Sequence, residues 1–256
     1  MVTAPPRIVS LVPSITELVC DLGLADALVG RTGFCIHPRA AVRRIPKVGG
    51  TKDVNLARIR ELAPTHVIVN IDENERPLAA ELARFVPHII VTHPLAPLDN
   101  LALYRLLGGI FDRTARAIEL CGEFARAHAD VAAACAALPR QNVLYLIWRK
   151  PWMTVARDTY VARTLALAGW DTLPAAATVR YPELELDAAL LAGVDHILLS
   201  SEPYRFRERD VLDVRRLLPR EAHCSVRLID GEMTSWYGSR AVAGLAYLGR
   251  LRRVLS

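Results

Sequence analysis

The chain has 256 residues, of which 52% are apolar and 23% charged, and a formal net charge of +5. These are globular values, enough for one large domain or two lobes of about 100 residues or more, and they exclude the disordered class. The basic residues are mostly Arg scattered through helical stretches. The densest spot, Arg250, Arg252 and Arg253, lies in the last turn of the last helix, where cations complement the macrodipole. No aromatic-and-basic stripe of the kind single strands need is present, so nucleic acid is not an expected partner.

The five cysteines, Cys20, Cys35, Cys121, Cys135 and Cys224, include no C-x-x-C pair. Most lie in apolar helical contexts and read as small buried hydrophobes. Cys121 and Cys135 share one helical stretch, too far apart along it for a disulfide. No run of about 18 apolar residues is present to span a membrane. The start of the chain lacks the basic, apolar and small-residue segments of a signal peptide, which leaves a cytosolic chain or a removed export signal as the two readings.

Arg7–Val12 (RIVSLV) reads as a short buried strand ending at Pro13. Ser14-Ile15-Thr16-Glu17 has the form of a capping box, so a helix is expected from Ser14 to about Leu22, stopped by Gly23. Ala27–Arg31 is a second strand, followed by the loop Thr32–Pro38 (TGFCIHP). A helix over Asn55–Leu62, a strand over Thr65–Asn70, a helix over Pro77–Phe85 and a strand over His88–Thr92 continue the alternation. That alternation implies a parallel sheet with helices on both faces. Leu98–Leu138 reads as helical almost throughout, with a break at Gly108-Gly109. The part from Asp112 to Leu138 is long enough for roughly 40 Å at about 1.5 Å per residue. After Pro139 come a strand over Asn142–Ile147, helices over Val161–Ala168 (capped by Gly169) and Leu186–Ala192, and a strand over His196–Ser200. A helix over Asp210–Leu218, a strand over Val226–Ile229 and a helix over Gly238–Leu255 complete the chain. The expected fold is α/β: two Rossmann-like lobes with parallel sheets, residues 1–98 and 140–256, joined by a helical linker, 99–139, that includes one long backbone helix.

The two lobes share a pattern. Leu56–Asn70 (LARIRELAPTHVIVN) and Leu186–Ser200 (LDAALLAGVDHILLS) align without gaps at an offset of 130. Any helix-to-strand connection shares part of this pattern, but it favours two similar lobes over one continuous sheet. His66 and His196 fall at matching strand starts and read as structural.

Signatures of catalysis are absent. There is no phosphate-binding or dinucleotide-binding glycine loop, no G-x-S-x-G elbow and no H-E-x-x-H, and no two His lie at i, i+4 with a third ligand nearby. No catalytic residue is therefore expected. Asp72, Glu73 and Glu75 form an acidic loop that reads either as a carboxylate site or, more plainly, as a solvated loop opening the next helix. Although aromatic residues make up only 6% of the chain, Phe34, Trp148, Trp152, Tyr181, Tyr204, Trp236 and Tyr237 fall in or beside loops that follow strands or precede helices. Ligands of open parallel sheets bind outside the carboxyl ends of strands. The expected site is thus a ring-lined cleft between lobes, suited to a flat or bulky apolar ligand, the plainer alternative being that three or four of the rings only plug the lobe interface or surface. Arg149, Arg180, Arg205 and Arg240 accompany the rings, each able to hold an oxygen acid or to serve as surface charge.

The segments RIVSLVPSITELVCDLGLADALVGRTGFCIHP and VGGTKDVNLARIRELAPTHVIVN resemble the N-terminal lobe of class III (helical-backbone) periplasmic solute-binding proteins. These are the receptors for cobalamin, ferric siderophores and haem. KPWMT, VRYPELELDAALLAGVDHILL and SWYGSR extend the resemblance over nearly the whole chain, and the pattern is most similar to the cobalamin receptors of vitamin ABC importers. The resemblance implies ligand contacts at Phe34, Trp152, Tyr181, Trp236, Tyr237 and Arg240. Thr51 and Asn70 stand where such receptors present tryptophans, so that wall is less aromatic here. The resemblance also implies permease docking through an acidic residue of each lobe. The matching positions are Ala57 and Asp187, which leaves Asp187 alone. His37 and Cys35 lie in the Phe34 loop, where His37 is the candidate axial ligand to cobalt or iron, although a plain loop His is the simpler reading.

The resemblance implies a monomeric, periplasmic, non-enzymatic substrate-binding protein of an ABC importer that captures a corrinoid such as cobalamin as transported ligand, with no catalytic cofactor. A ferric-siderophore or haem receptor of the same fold is one alternative. A cytosolic tetrapyrrole-handling enzyme or chaperone is another, motivated by the missing signal segment, the free cysteines and Ala57.

Overall fold

The computed structural model describes residues 5–219 and 223–255. The chain divides into two compact units. Unit 1 comprises Met1–Pro94, Leu98–Gly122 and Tyr237–Arg240; unit 2 comprises Leu95–Pro97, Glu123–Trp236 and Ala241–Ser256. Among the described residues, no helix is long and apolar enough to cross a membrane.

Unit 1 begins with β1 (Ile8–Ser10), whose three residues are all fully buried, as expected of a central parallel strand covered on both faces. α1 (Pro13–Asp21) follows at once. The expected capping box is not formed. Pro13, with no N–H to satisfy, occupies the first helical turn, Val12 becomes the N-cap, and Ser14 is drawn inside the helix. Thr16 ties the start instead, its hydroxyl 2.9 Å from the Val12 carbonyl and 2.8 Å from Ser10 Oγ.

β2 (Leu28–Arg31), α2 (Arg39–Val42), α3 (Leu56–Glu61), β3 (His66–Asn70), α4 (Arg76–Leu82) and β4 (His88–Thr92) complete the first α/β unit. The strands are parallel in the order β2-β1-β3-β4. Val9, Leu11, Val48, Ile59, Val67, Val69, Leu82 and Val86 form a buried cluster within it. Asn55 caps α3 by accepting from Arg58 N at 2.9 Å.

α5 (Asp99–Ile110) and α6 (Thr114–Cys135) follow. The break between them falls at 111–113, not at Gly108-Gly109. α5 runs through both glycines because a side chain at Gly108 would overlap the Ala117 Cβ, so glycine there serves helix contact. Asp112, at φ 54°, turns the chain instead. At 22 residues, α6 is about 33 Å long, shorter than the expected 40 Å. The division between units falls within it, after Gly122.

Unit 2 contains β5 (Gln141–Leu146), β6 (Trp152–Met153), α7 (Tyr160–Ala166), β7 (Trp170–Thr172), β8 (Glu183–Leu184) and α8 (Ala188–Leu191). β9 (His196–Ser200), α9 (Glu208–Arg215), β10 (Ser225–Ile229), α10 (Gly231–Ser235) and α11 (Arg240–Val254) follow, the last beginning on a residue of unit 1. Four parallel strands run β10-β9-β5-β7, while β6 and β8 form a separate antiparallel pair. Taken in chain order, the four parallel strands of each unit have the same neighbours: the first lies between the second and third, and the fourth flanks the third. The internal repeat is therefore one of topology. β3 and β9 open on His66 and His196, which pair in register with Ile8 of β1 and Val143 of β5. Leu144, Leu146, Leu191, Ile197, Leu199, Val211, Val214 and Val226 build the unit 2 core.

These histidines are packed parts of the sheets. His66 stacks on His88, ring centroids 4.7 Å apart, and meets Phe111 edge-on at 5.0 Å. His196 Nδ1 lies 2.7 Å from Ser225 Oγ, and its buried Nε2 has no hydrogen-bond partner among the described residues. Burial lowers both pKa values below the ordinary 6.5, and the neighbouring His88 adds to the effect at His66. As pH falls through about 6.5 the unfolded chain takes up protons that the folded histidines resist, so stability present above that pH is lost on acidification. We expect the urea midpoint to fall between about pH 8 and pH 5, and the fall to be smaller in a His66→Gln/His196→Gln double variant. An equal fall in both proteins would refute this assignment.

Candidate ligand-binding site

In unit 1 the strand order reverses between β1 and β3, and in unit 2 between β5 and β9. The loops after these strands are where an open parallel sheet presents a ligand surface.

In unit 1, Phe34 lies on the loop after β2 and is 62% exposed, held up by a buried base. Beneath it the Cys35 thiol sits 3.0 Å from Thr16 Oγ1 and 3.2 Å from Thr32 Oγ1. Burial raises the pKa of Cys35, so this is a neutral packed thiol rather than a ready metal ligand. His37 precedes Pro38 on the same loop. Asn70 ends β3 with a buried side chain that organises the following turn: Oδ1 accepts from Asp72 N at 2.8 Å and Nδ2 points to Thr92 Oγ1 at 3.4 Å. Thr51 is bound through its carbonyl, which accepts from Asn74 Nδ2 at 3.0 Å. Within the acidic loop Asp72 pairs with His93 Nε2 at 3.3 Å, and Glu73 accepts from the Tyr237 hydroxyl at 2.9 Å. Burial and the Glu73 charge raise the Tyr237 pKa well above its usual value, so its hydroxyl stays a donor. Arg240 makes a bidentate pair with Glu17, both contacts 2.7 Å. Glu17, read from the sequence as part of the capping box, instead fixes the start of α11. Gly238, at φ 82°, is held between them, its N–H donating to Asn100 at 2.7 Å and its carbonyl accepting from Tyr104 at 2.9 Å.

In unit 2, the loops after β5 and β9 assemble an aromatic platform. Trp148 meets Tyr204 edge-on at 5.6 Å, Tyr204 meets Phe206 at 4.7 Å, and Phe206 stacks on Trp152 at 6.2 Å. Arg149 lies over Trp152 at 5.4 Å and is held by Asp210 and Asp213, at 2.5 and 2.9 Å. Both carboxylates raise its pKa, so it is a fixed charge committed to α9. Tyr181 is 39% exposed beneath Arg180, whose guanidinium lies 5.9 Å from the ring centre. Trp236 is mostly buried at the end of α10, and its indole N–H donates to Glu202 Oε1 at 2.7 Å. Asp187 caps α8, accepting from Leu190 N at 2.8 Å. Ala57 is exposed on α3, beside a shallow recess lined by Leu56, Arg60 and Glu61.

Each ring expected from the sequence therefore has a defined place, with Phe34 and Tyr181 exposed and Trp236 and Tyr237 fixed through polar tips. Of the carboxylates that fix Trp236, Tyr237 and Arg240, Glu73 lies in the acidic loop that the sequence marks as a possible carboxylate site. Glu202 carries the same legible signal, an acidic residue just past the end of an apolar strand, whereas Glu17 reads only as part of a cap. Among the described residues, no group of three or more His, Cys, Asp or Glu stands in a metal-holding arrangement.

Two α/β units share one strand topology and carry rings in loops next to their strands. A family model for periplasmic binding proteins matches residues 8–213, and the chain belongs to this family, which is one of binding proteins. The vitamin B12-binding protein of Photorhabdus laumondii is 25% identical over 198 residues, covering 77% of this chain and 71% of that protein. Among solved structures, the periplasmic vitamin B12 binding protein of Vibrio cholerae superposes with a TM-score of 0.83 at 18% identity, covering 98% of both chains. The periplasmic heme-binding protein of Roseiflexus sp. RS-1 gives 0.83 at 21% identity, covering 98% of this chain and 99% of that one. At these identities the two structures show the fold alone.

Proposed function

We propose that this chain is the substrate-binding protein of an ABC importer, that it works in the periplasm, and that it captures a corrinoid without chemical turnover. The observation that carries the reading is its similarity to vitamin B12-binding proteins over 77% of its length. The ring set supports it, since flat faces beside polar handles suit a bulky macrocycle. In this reading Phe34, Thr51, Asn70, Tyr237 and Arg240 of unit 1 serve the ligand together with Trp152, Tyr181 and Trp236 of unit 2. Phe34 and Tyr181 contact it directly, while Asn70, Tyr237 and Arg240 act mainly by fixing the loops that do. Asp187 is the acidic contact to the permease, and Ala57 offers no matching charge.

The test is titration with cyanocobalamin, followed by calorimetry and tryptophan quenching. Saturable binding at micromolar protein is expected. Phe34→Ala and Tyr181→Ala should each weaken it about threefold to tenfold, the value of one ring contact. No heat and no quenching would overturn the ligand assignment, and a Soret shift with hemin in their place would move it to haem.

A further inference from the structure

Glu202 lies two residues past the end of β9, beside the point where the unit 2 strand order reverses. Its backbone is pinned by Ser200, whose hydroxyl donates to the Glu202 carbonyl at 2.6 Å and accepts from its N–H at 3.3 Å. Gly231 closes against the same spot, where any side chain would overlap Ser200 Oγ. The carboxylate is then used asymmetrically. Ser235 Oγ at 2.8 Å and Trp236 Nε1 at 2.7 Å both donate to Oε1. Among the described residues, no donor is bonded to Oε2. Burial raises the pKa of the carboxyl against the lowering effect of the Ser235 and Trp236 donors, and the nearby Glu232 and Asp230 charges add to the rise. This is a fixed acceptor in a negative surrounding, oriented before any ligand arrives.

We propose that Glu202 selects ligands by the hydrogen-bonding character of their edge, its Oε2 accepting from amide N–H groups and disfavouring edges that carry carboxylates. The inference rests on the corrinoid reading, because a corrin ring bears acetamide and propionamide arms whereas haem bears propionates. An amide N–H finds a charged acceptor at Oε2, the stronger kind of hydrogen bond. A propionate finds like charge and no donor, so the same residue favours one macrocycle and rejects the other.

The test compares cyanocobalamin, cobyrinic acid (carboxylates in place of amides) and hemin, at about pH 8, well above the ordinary glutamate range. The intact chain, Glu202→Gln and Trp236→Phe are titrated with each. Glu202→Gln keeps an oxygen for Ser235 and Trp236 and turns the other position into a donor. It should weaken cyanocobalamin about tenfold and tighten cobyrinic acid or hemin, with the thermal midpoint and tryptophan emission maximum unchanged. Trp236→Phe should lower all affinities together and leave the preference intact. If Glu202→Gln scales every ligand equally, Glu202 only positions Trp236 and the selectivity role is overturned. If the intact chain binds hemin and not cyanocobalamin, the proposed ligand fails. In that case Glu202→Gln must still tighten hemin, or the selectivity role fails as well.

Discussion

Arg252→Ala will cost about 3 kcal/mol or more of stability, read as a lower urea midpoint at constant m-value. The guanidinium is fully buried in unit 2, a position a charge tolerates only when its bonds are made. Nε donates to the Ala168 carbonyl at 2.8 Å, and Nη2 to the Pro139 carbonyl at 2.6 Å. Both acceptors belong to chain ends that need a donor: Ala168 follows α7, and Pro139 precedes β5. The cation also lies over the Trp170 ring, 5.8 Å from its centre, and that ring is itself fully buried. Alanine would leave two carbonyls without this donor and open a cavity beneath Trp170. The loss is limited because burying a guanidinium is itself costly, and Nη1 is buried with no hydrogen-bond partner among the described residues. Arg252→Met refills the space without the bonds, so it should fall between wild type and alanine. A change under about 1 kcal/mol in the alanine variant would show that the clamp is dispensable.

Arg252 also marks the limit of what local sequence discloses. Its place in the last helical turn fits a macrodipole partner, and only the tertiary packing of α11 turns it inward. Glu17 is similar, since its spacing from Ser14 satisfies a local cap. The partner it takes is Arg240, 223 residues away, because Pro13 already starts the helix. The strands were far more legible. β4 and β9 match their expected bounds residue for residue, since short apolar runs between turn signals have few other ways to fold. The two-residue strands β6 and β8 carry no periodicity and were invisible, as was the five-residue α10. For the site, ring positions were readable because aromatics are scarce in this chain. Their exposure was not: Phe34 stands at 62% while Trp236 and Tyr237 stand at 8%. That difference is set by acceptors from distant segments, Glu202 and Glu73, which no local pattern ties to the rings.

The placing of Trp236 depends in turn on one glycine, and Gly244→Ala will weaken ligand binding about tenfold or more while lowering stability by about 2 kcal/mol. Gly244 lies inside α11 against the Met233 carbonyl of α10, which an added Cβ would overlap. A carbonyl oxygen has no rotamer through which to withdraw, so α10 must move as a body. α10 is also held to α11 by the Asp230 N–H, which donates to the Tyr247 hydroxyl at 3.1 Å. Displacing it pulls Ser235 and Trp236 off Glu202 Oε1 and carries the ring out of place. Helix propensity acts in the opposite direction, since alanine gains about 1 kcal/mol over glycine in a helix interior. Gly249→Ala on the same helix separates the two effects. Its added Cβ would stand 3.5 Å from Val131 Cγ2, an ordinary contact, so propensity alone should act and stability should hold or rise. Denaturant midpoints and cyanocobalamin titrations of the two variants decide the matter. If they behave alike, the approach of α11 to Met233 does not hold Trp236 in place, and Glu202 alone must do so.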